Sequence, residues 1–269
     1  MGVFTAPVRV RHHECDSYGH VNNAVYTQYL AQLTLDAHGI APQDAPLWSM
    51  RRLAVEFHTP AVYGDALLGD TWVAEAEDGS LTHDYRLTRP SDERLVVAAR
   101  AVWSTSLRPS LAPLAETLTS SPLKPFSAPT DNGSLPFLWR HQVARYEVGA
   151  SGCVPPWVYL NWLEEATFSA STRAGWSIER MLEHNLVILQ FRHDAEFLAD
   201  ARLGQAVEIV SRLIEVKRVR GMWLHEVFSV TPRVLLMRDY STGVFLDRSG
   251  RMRASLAPMM ADLVRGEPR

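Results

Sequence analysis

The chain lacks the features that define several broad classes of protein. Only two of its 269 residues are cysteines, Cys15 and Cys153, so no disulfide framework is expected and a reducing compartment is the default. No apolar run approaches the roughly 18 residues that span a bilayer. The first residues also lack the apolar core of a secretory signal. We therefore expect a cytoplasmic protein without a membrane span.

The chain also lacks an excess of charge of one sign. It has 27 basic and 30 acidic residues and a formal net charge of −3. Without a basic field, no nucleic-acid partner is expected. What is present is an ordinary globular composition, 46% hydrophobic and 21% charged, long enough for one large domain or two of medium size.

The predicted elements follow one order twice: a strand, a long helix and four strands. Helical periodicity extends roughly over 22–38 and again over 156–173. The strand-like runs are 8–11, 50–58, 71–77, 81–88 and 95–104 in the first half, and 142–146, 186–197, 206–216, 222–230 and 234–246 in the second.

The two halves have the pattern of a tandem duplication. Gly19 matches Gly152, 133 residues later, whereas Gly64 matches Gly204, 140 residues later. A seven-residue insertion between the second helix and its sheet explains the change. One helix leaves part of a sheet uncovered, so we expect the two units to join as an intramolecular pseudo-dimer. Further assembly into a homo-oligomer remains open.

The predicted domain boundaries follow from the same pattern. Residues 1–108 form the first unit and 137–256 the second. Residues 109–136 are rich in proline, serine and threonine and are predicted to be a linker. Residues 257–269 are a tail that is either a short helix or frayed.

The most informative stretch precedes the first helix, where Asp16, Gly19 and His20 stand close together. Backbone N–H groups at a helix N-terminus carry positive partial charge and suit a developing oxyanion. Asp16 would be a general base or a nucleophile beside them. His20 would orient a carbonyl or a water. The structural alternatives are an Asx-turn for Asp16 and a backbone-bonded His20.

The run Asp16-Ser-Tyr-Gly-His-Val-Asn-Asn-Ala-Val-Tyr26 resembles the active-site segment of hotdog-fold thioesterases, which include the 4-hydroxybenzoyl-CoA thioesterase group and the acyl-ACP thioesterases. Val55-Glu56-Phe57 and Tyr63-Gly64-Asp65 resemble that family's next strand and turn. Tyr18 departs from the plant acyl-ACP enzymes, which carry an asparagine there.

The resemblance implies an α+β protein of two tandem hotdog folds, each an antiparallel sheet wrapped around a long central helix. It further implies hydrolysis of acyl-CoA or acyl-carrier-protein thioesters to free acid and thiol, without a cofactor or a metal. Two alternatives remain: a hotdog dehydratase or hydratase, and a non-catalytic module that binds acyl thioesters.

The predicted site residues fall into two groups. The catalytic candidates are Asp16, His20, Asn23 and Glu56, and the substrate-binding candidates are Tyr18, Gly19, Val21, Asn22 and Tyr26. Glu56 lies among apolar residues, where an isolated carboxylate must be paired or used; its alternative is a salt bridge. Asn22 is favoured as a helix cap, and Asn23 is either a cap or a donor to substrate.

The second half lacks the chemical residues of the first. Gly149 replaces Asp16, Cys153 replaces His20, and Pro155-Pro156 replaces Asn22-Asn23. We therefore predict one active site per chain. A helix start can lower the pKa of a thiol such as Cys153, but no histidine stands at motif distance, so a cysteine nucleophile is disfavoured. A glutamate on the second helix, Glu164 or Glu165, is a minor alternative acid.

Three further patterns admit a functional and a structural interpretation. On a strand, His12, Glu14 and Asp16 would share one face and suit a metal. The basic cluster 217–220 is expected in a hairpin turn, either meeting CoA phosphates or an acidic carrier protein, or simply solvated. The structural reading is favoured for both, and also for four tryptophans that we expect in the core: Trp157, Trp162, Trp176 and Trp223.

Overall fold

A computed structural model describes residues 2–105, 123, 126–130, 134–255 and 257–265. The chain divides into two compact units, Met1–Pro125 and Phe126–Arg269. Most of the predicted linker lies outside the described residues, so the proposed domain boundaries and the pseudo-dimer stay predictions.

The first unit consists of one long helix and a five-stranded antiparallel sheet. Its elements are β1 (Phe4–Arg9), α1 (Asn23–Ala37), β2 (Trp48–Phe57), β3 (Ala66–Glu77), β4 (Ser80–Arg89) and β5 (Arg94–Thr105). The strand order is β1-β3-β4-β5-β2. Strand β1 is therefore the last strand on one side of this unit's sheet.

The second unit repeats this arrangement and adds two helices. Its elements are β6 (Phe137–Gln142), α2 (Pro156–Arg173), α3 (Ile178–Glu183), β7 (Val187–Phe197), β8 (Ala206–Lys217), β9 (Arg220–Ser229), β10 (Val234–Leu246) and α4 (Ala257–Arg265). The strand order, β6-β8-β9-β10-β7, is that of the first unit. The predicted fold of two tandem hotdog units is thus confirmed.

In the second unit one predicted strand is wrong and one helix was missed. The strand expected at 142–146 lies earlier, at Phe137–Gln142, and Arg145–Glu147 forms a 3-10 turn. The Glu147 carboxylate accepts the Ala144 N–H at 2.7 Å, which stabilises the turn in place of an extended strand. Helix α3 was not predicted, although Ser177 caps it by accepting the Arg180 N–H.

The contact between the long helix and the sheet is filled differently in the two units. In the first unit a Cβ on Gly69 would lie 2.7 Å from the Leu33 side chain, so a larger residue there would force that side chain to move. The equivalent positions in the second unit hold Ala166 and Ile209, both fully buried. A large and a small residue have changed places, which keeps the core filled.

The tail contributes to the core of the second unit. Met259, at 0% exposure, packs in one cluster with Trp176, at 1%, and the Trp176 indole donates to Asp262 at 3.1 Å. Of the four tryptophans expected in the core, Trp162 and Trp176 are buried, whereas Trp157 and Trp223 are half-buried. Over the described part of the chain, no helix is long and apolar enough to cross a membrane.

Candidate active site

A tight loop precedes helix α1 and is closed by its own backbone. The Asp16 N–H donates to the His20 carbonyl at 2.8 Å, and the Gly19 N–H donates to the Asp16 carbonyl at 3.0 Å. Gly19 has a φ of +80°, a left-handed conformation that costs other residues about 1–2 kcal/mol. Glycine therefore suits this position of the turn, and contact of Gly19 with substrate stays a prediction.

The Asp16 carboxylate both stabilises this loop and has an oxygen available. Its Oδ1 accepts the N–H groups of Tyr18 and His20 at 2.8 and 3.2 Å, which is an Asx-turn. Its Oδ2 has no hydrogen-bond partner among the residues that the structure describes. The side chain is half-buried. One oxygen therefore orients the carboxylate, and the other is free to act on a substrate or a water.

Most N–H groups at the start of α1 are already bonded. The Asn22 N–H donates to the Glu14 carbonyl at 2.9 Å, and the Val25 N–H donates to the Asn22 carbonyl at 3.0 Å. The Asn22 side chain caps the helix by accepting the Ala24 N–H at 2.8 Å. The Asn23 N–H has no acceptor within the described residues. Of the helix-start N–H groups expected to bind an oxyanion, the Asn23 N–H is therefore the one that remains available.

His20 and Val21 join the loop to the segment after β2. His20 forms an isolated bridge with Val62, and the Val21 N–H donates to the Ala61 carbonyl at 2.9 Å. The His20 side chain is half-buried, and its ring has no hydrogen-bond partner in the described ranges. Val21 is 3% exposed and belongs to the scaffold of the loop.

Tyr26 connects helix α1 to the same segment from the core. It is 3% exposed, and its hydroxyl accepts the Ala61 N–H at 3.2 Å. Burial raises the pKa of Tyr26 to about 12, so the phenol is neutral at physiological pH. The second unit repeats this contact, with Tyr159 accepting the Ala201 N–H at 2.9 Å. Tyr26 is therefore placed as a scaffold residue, and its contact with substrate stays a prediction.

Glu14, which the sequence singled out only as a possible metal ligand, instead supports the active loop and the start of α1. Its carboxylate accepts the Arg11 N–H at 2.6 Å and the Tyr29 hydroxyl at 2.7 Å, and burial is the main cause that raises the pKa of Tyr29. The available signal was the repeat, because Glu147 lies 133 residues later. Glu147 accepts the indole N–H of Trp162 at 2.8 Å.

The metal interpretation fails on local geometry. It requires a strand, but His12–Glu14 forms a 3-10 turn, with Glu14 buried and directed towards Tyr29. Three alternating side chains on one face therefore do not exist there. The described residues also contain no group of three or more metal-ligating side chains.

Two predicted site residues, Glu56 and Tyr18, do not lie at the helix start. The Phe57 ring packs 5.6 Å from the ring of Tyr26 on α1, so Glu56, one residue earlier on β2, projects from the opposite face of the sheet. Glu56 is 8% exposed and lies 3.5 Å from the His58 ring, as in the salt-bridge alternative. Tyr18 is at the exposed tip of the loop.

The second unit keeps the loop without its chemistry. The Gly149 N–H donates to the Cys153 carbonyl at 2.9 Å, and the Gly152 N–H donates to the Gly149 carbonyl at 3.0 Å. Pro156 takes the place of Asn23, so the free N–H is missing. The helix start does not lower the pKa of the Cys153 thiol, because burial and the charge of Asp200 raise it.

The basic cluster lies in a hairpin turn, as predicted, because Lys217 ends β8 and pairs with Arg220 at the start of β9. Both side chains reach the same acid. The distances to the Glu215 carboxylate are 2.8 Å for Lys217 and 3.6 Å for Arg220. This pairing favours the structural interpretation of the cluster.

Two family models match the chain, one in each half. The thioesterase-like superfamily matches residues 10–105, and the thioesterase superfamily matches residues 158–236. The chain is a tandem of two thioesterase-superfamily domains. The enzyme class is that of the thioester hydrolases. The first match, over residues 10–105, contains the whole of the loop before α1. Among curated protein sequences, none matches the chain.

Solved structures support the tandem fold over nearly the whole chain. An acyl-ACP thioesterase from Bacteroides thetaiotaomicron has a TM-score of 0.67 and 15% identity, covering 91% of this chain and 98% of its own. A protein described as an oleoyl thioesterase from Lactobacillus plantarum has a TM-score of 0.70 at 10% identity, with coverages of 92% and 98%. The 12:0-ACP thioesterase from Umbellularia californica has values of 0.67 and 10%, with coverages of 91% and 94%.

Proposed function

We propose that the N-terminal unit is an acyl thioesterase that hydrolyses acyl-CoA or acyl-carrier-protein thioesters to a free acid and a thiol. The proposal is carried by two groups that have no hydrogen-bond partner among the described residues. These are Oδ2 of Asp16, in the loop before α1, and the N–H of Asn23, the first residue of α1. The second unit has neither, because it holds Gly149 and Pro156 there.

In the proposed reaction, the thioester carbonyl oxygen accepts the Asn23 N–H, and the His20 ring orients the carbonyl. Oδ2 of Asp16 takes a proton from a water as that water adds to the carbonyl carbon. Negative charge then develops on the carbonyl oxygen, where the amide and the helix dipole stabilise it. When the C–S bond breaks, the thiolate leaves and the proton on Asp16 passes to it. No cofactor takes part.

The Asx-turn explains why Asp16 suits this step. Two backbone N–H groups hold Oδ1, so the carboxylate loses little freedom when a water meets Oδ2. The proposal does not use Glu56, whose side chain projects from the other face of β2. Asn22 and Tyr26 act indirectly, by positioning the helix start and the loop beside it.

The test is release of free thiol from saturated and 2-enoyl thioesters by the purified protein. We expect Asp16→Asn to lower kcat by roughly 10²- to 10⁴-fold while circular dichroism shows an unchanged fold. Asp36→Asn is the matched control, because Asp36 is exposed on α1 and its side chain contacts, within the described part of the chain, only the Gln32 amide. Hydration of the enoyl substrate without thiol release would instead identify a hydratase. Tight binding with neither reaction would identify a binding module.

A single turnover in ¹⁸O-labelled water tests the role of Asp16. A general base leaves the label in the acid product only. Label in the Asp16 side chain would show that the carboxylate itself attacks and that a mixed anhydride is then hydrolysed.

A further inference from the structure

Two exposed arginines flank the active loop at the end of the edge strand. Arg9 is the last residue of β1, and Arg11 follows after Val10, which is 0% exposed. Because the chain is extended here, both arginines project outwards, about 7 Å apart. Neither guanidinium has an acidic partner among the residues that the structure describes. Together with His12 and Tyr63 they form what we call the rim.

The rim is attached to the active loop by one short segment. The Gly64 N–H donates to the Val10 carbonyl at 3.2 Å, and the Tyr63 ring lies 5.6 Å from the His12 ring, edge to face. The preceding residue, Val62, forms the bridge to His20. Tyr63 is nevertheless 61% exposed. The Tyr63 ring and the two arginines, which have no acidic partner among the described residues, are therefore connected to the active loop through residues 62–64.

The rim and the catalytic residues are absent together from the second unit. The positions equivalent to Arg9 and Arg11 hold Gln142 and Ala144, and the position equivalent to Tyr63 holds Leu203. The backbone contact is kept, since the Gly204 N–H donates to the Val143 carbonyl at 2.9 Å. The unit that lost the acid thus also lost the cations and the aromatic ring, although the strand and turn that carried them persist.

We propose that the rim binds the nucleotide of coenzyme A, so that the N-terminal unit acts on CoA thioesters. The inference rests on the proposed function. Arg9 and Arg11 would bind phosphates of the nucleotide through charge-assisted hydrogen bonds. The Tyr63 ring offers a stacking surface for adenine, and base–aromatic stacking is a favourable contact of this kind.

Charge favours a nucleotide here over an acidic carrier protein. A carrier protein is attracted by an extended positive surface, whereas this chain has a net charge of −3. The nearby Arg89 is already paired with Asp65 at 2.9 Å, which leaves a compact pair of cations at Arg9 and Arg11. That pair matches the small, concentrated charge of a nucleotide diphosphate.

The experiment compares one acyl group on CoA, on pantetheine and on a carrier protein. Pantetheine carries the thioester without the nucleotide. In the Arg9→Gln/Arg11→Gln variant we expect KM for acyl-CoA to rise roughly 10- to 100-fold, with kcat unchanged and KM for acyl-pantetheine unchanged. Tyr63→Leu, which introduces the residue of the second unit, should raise KM for acyl-CoA alone by about 5- to 10-fold.

Arg145→Gln is the matched control, because Arg145 is exposed at the equivalent turn of the second unit and should not affect any KM. An equal change in KM for acyl-pantetheine would overturn the inference, as would a change confined to the carrier-protein substrate. Binding of CoA alone, followed by calorimetry, separates the two proposals. If no substrate is hydrolysed but CoA binds and the double variant weakens it, the proposed function fails and the rim stands.

Discussion

The two units of this chain share a scaffold and differ in chemistry. Both have a glycine of positive φ in the loop, +80° at Gly19 and +76° at Gly152. Both also bond a helix tyrosine to the segment after the second strand. Within the described residues, only the first has an aspartate in the loop itself, Asp16, and a first helical residue, Asn23, whose N–H has no acceptor. The loop therefore does not depend on its acid for its shape.

A substitute for Asp16 explains how the second loop persists. In the first unit Oδ1 of Asp16 accepts the His20 N–H at 3.2 Å. In the second, Ser151 Oγ accepts the equivalent N–H, that of Cys153, at 3.3 Å. One backbone donor is therefore satisfied in both units by different side chains, so the cost of an unpaired N–H is avoided. Without the aspartate the second loop lacks the proposed catalytic carboxylate but keeps its turn.

Among variants that carry a feature of the second unit into the first, Asn23→Pro should have the largest effect. Asn23→Pro deletes the free N–H and leaves the helix able to form, because α2 itself begins with Pro156. The preceding Asn22 has φ −59° and ψ 140°, which a following proline favours. We expect kcat to fall about 10²- to 10³-fold with little change in thermal stability.

Asn23→Ala is the comparison for that variant, since it removes the side chain and keeps the amide. We expect it to lose far less activity than Asn23→Pro. Equal losses would mean that the side chain, and not the N–H, acts on the substrate.

A second prediction compares the buried histidines of the two sheets. His83 and His225 are each 1% exposed, and burial lowers their pKa values to about 3 and about 4. Below the ordinary value of about 6.5 the unfolded chain binds these protons and the folded chain does not, so stability falls as pH falls from 6.5 towards 4. At pH 5 each histidine should lower the free energy of unfolding by about 2 kcal/mol.

The measurement is urea unfolding between pH 7.5 and pH 5. His225→Gln and His83→Gln should each reduce the loss of stability at pH 5 by about 2 kcal/mol, and His38, whose pKa burial also lowers, contributes to the slope that remains. His13→Gln, at an exposed position, should leave the slope unchanged. A slope that is as steep in the double variant His83→Gln/His225→Gln as in the wild type would contradict the prediction.

The smallest expected effect is the loss of stability when the glycine of either loop is replaced. Gly19→Ala and Gly152→Ala both force a side chain into a left-handed conformation, with open space around the added Cβ. Each should cost about 1 kcal/mol of stability. Only Gly19→Ala should also lower thiol release, because only its loop carries Asp16. A loss of activity in Gly152→Ala would show that the second loop takes part in the reaction.

Much of the fold could be predicted from patterns that are local in sequence. The two long helices and the strands after each helix were located within a few residues, since apolar periodicity reflects the face that a helix or strand buries. The strand expected at 142–146 failed because a single side chain, Glu147, bends the chain there. Such a contact leaves no periodic signal.

The site was predicted in outline and completed by tertiary contacts. Asp16, Gly19 and His20 were recognised from their order in the chain. The roles of Glu14 and of the Ala61 backbone were not, because their partners Tyr29 and Tyr26 lie elsewhere in the sequence. The rim was missed for the same reason, since Tyr63 approaches His12 only in the folded unit.

By itself the sequence determined the tandem architecture, the acid-bearing loop and the loss of that loop's chemistry in the second half. These depend on residue identity and on spacing along the chain. Only the tertiary structure decided which oxygen of Asp16 is free and which helix-start amide is unbonded. Hydrogen bonding is a competition among all the groups that folding brings together. Its outcome at Asp16 and Asn23 therefore depends on neighbours such as Glu14, which the local pattern did not identify as part of the site.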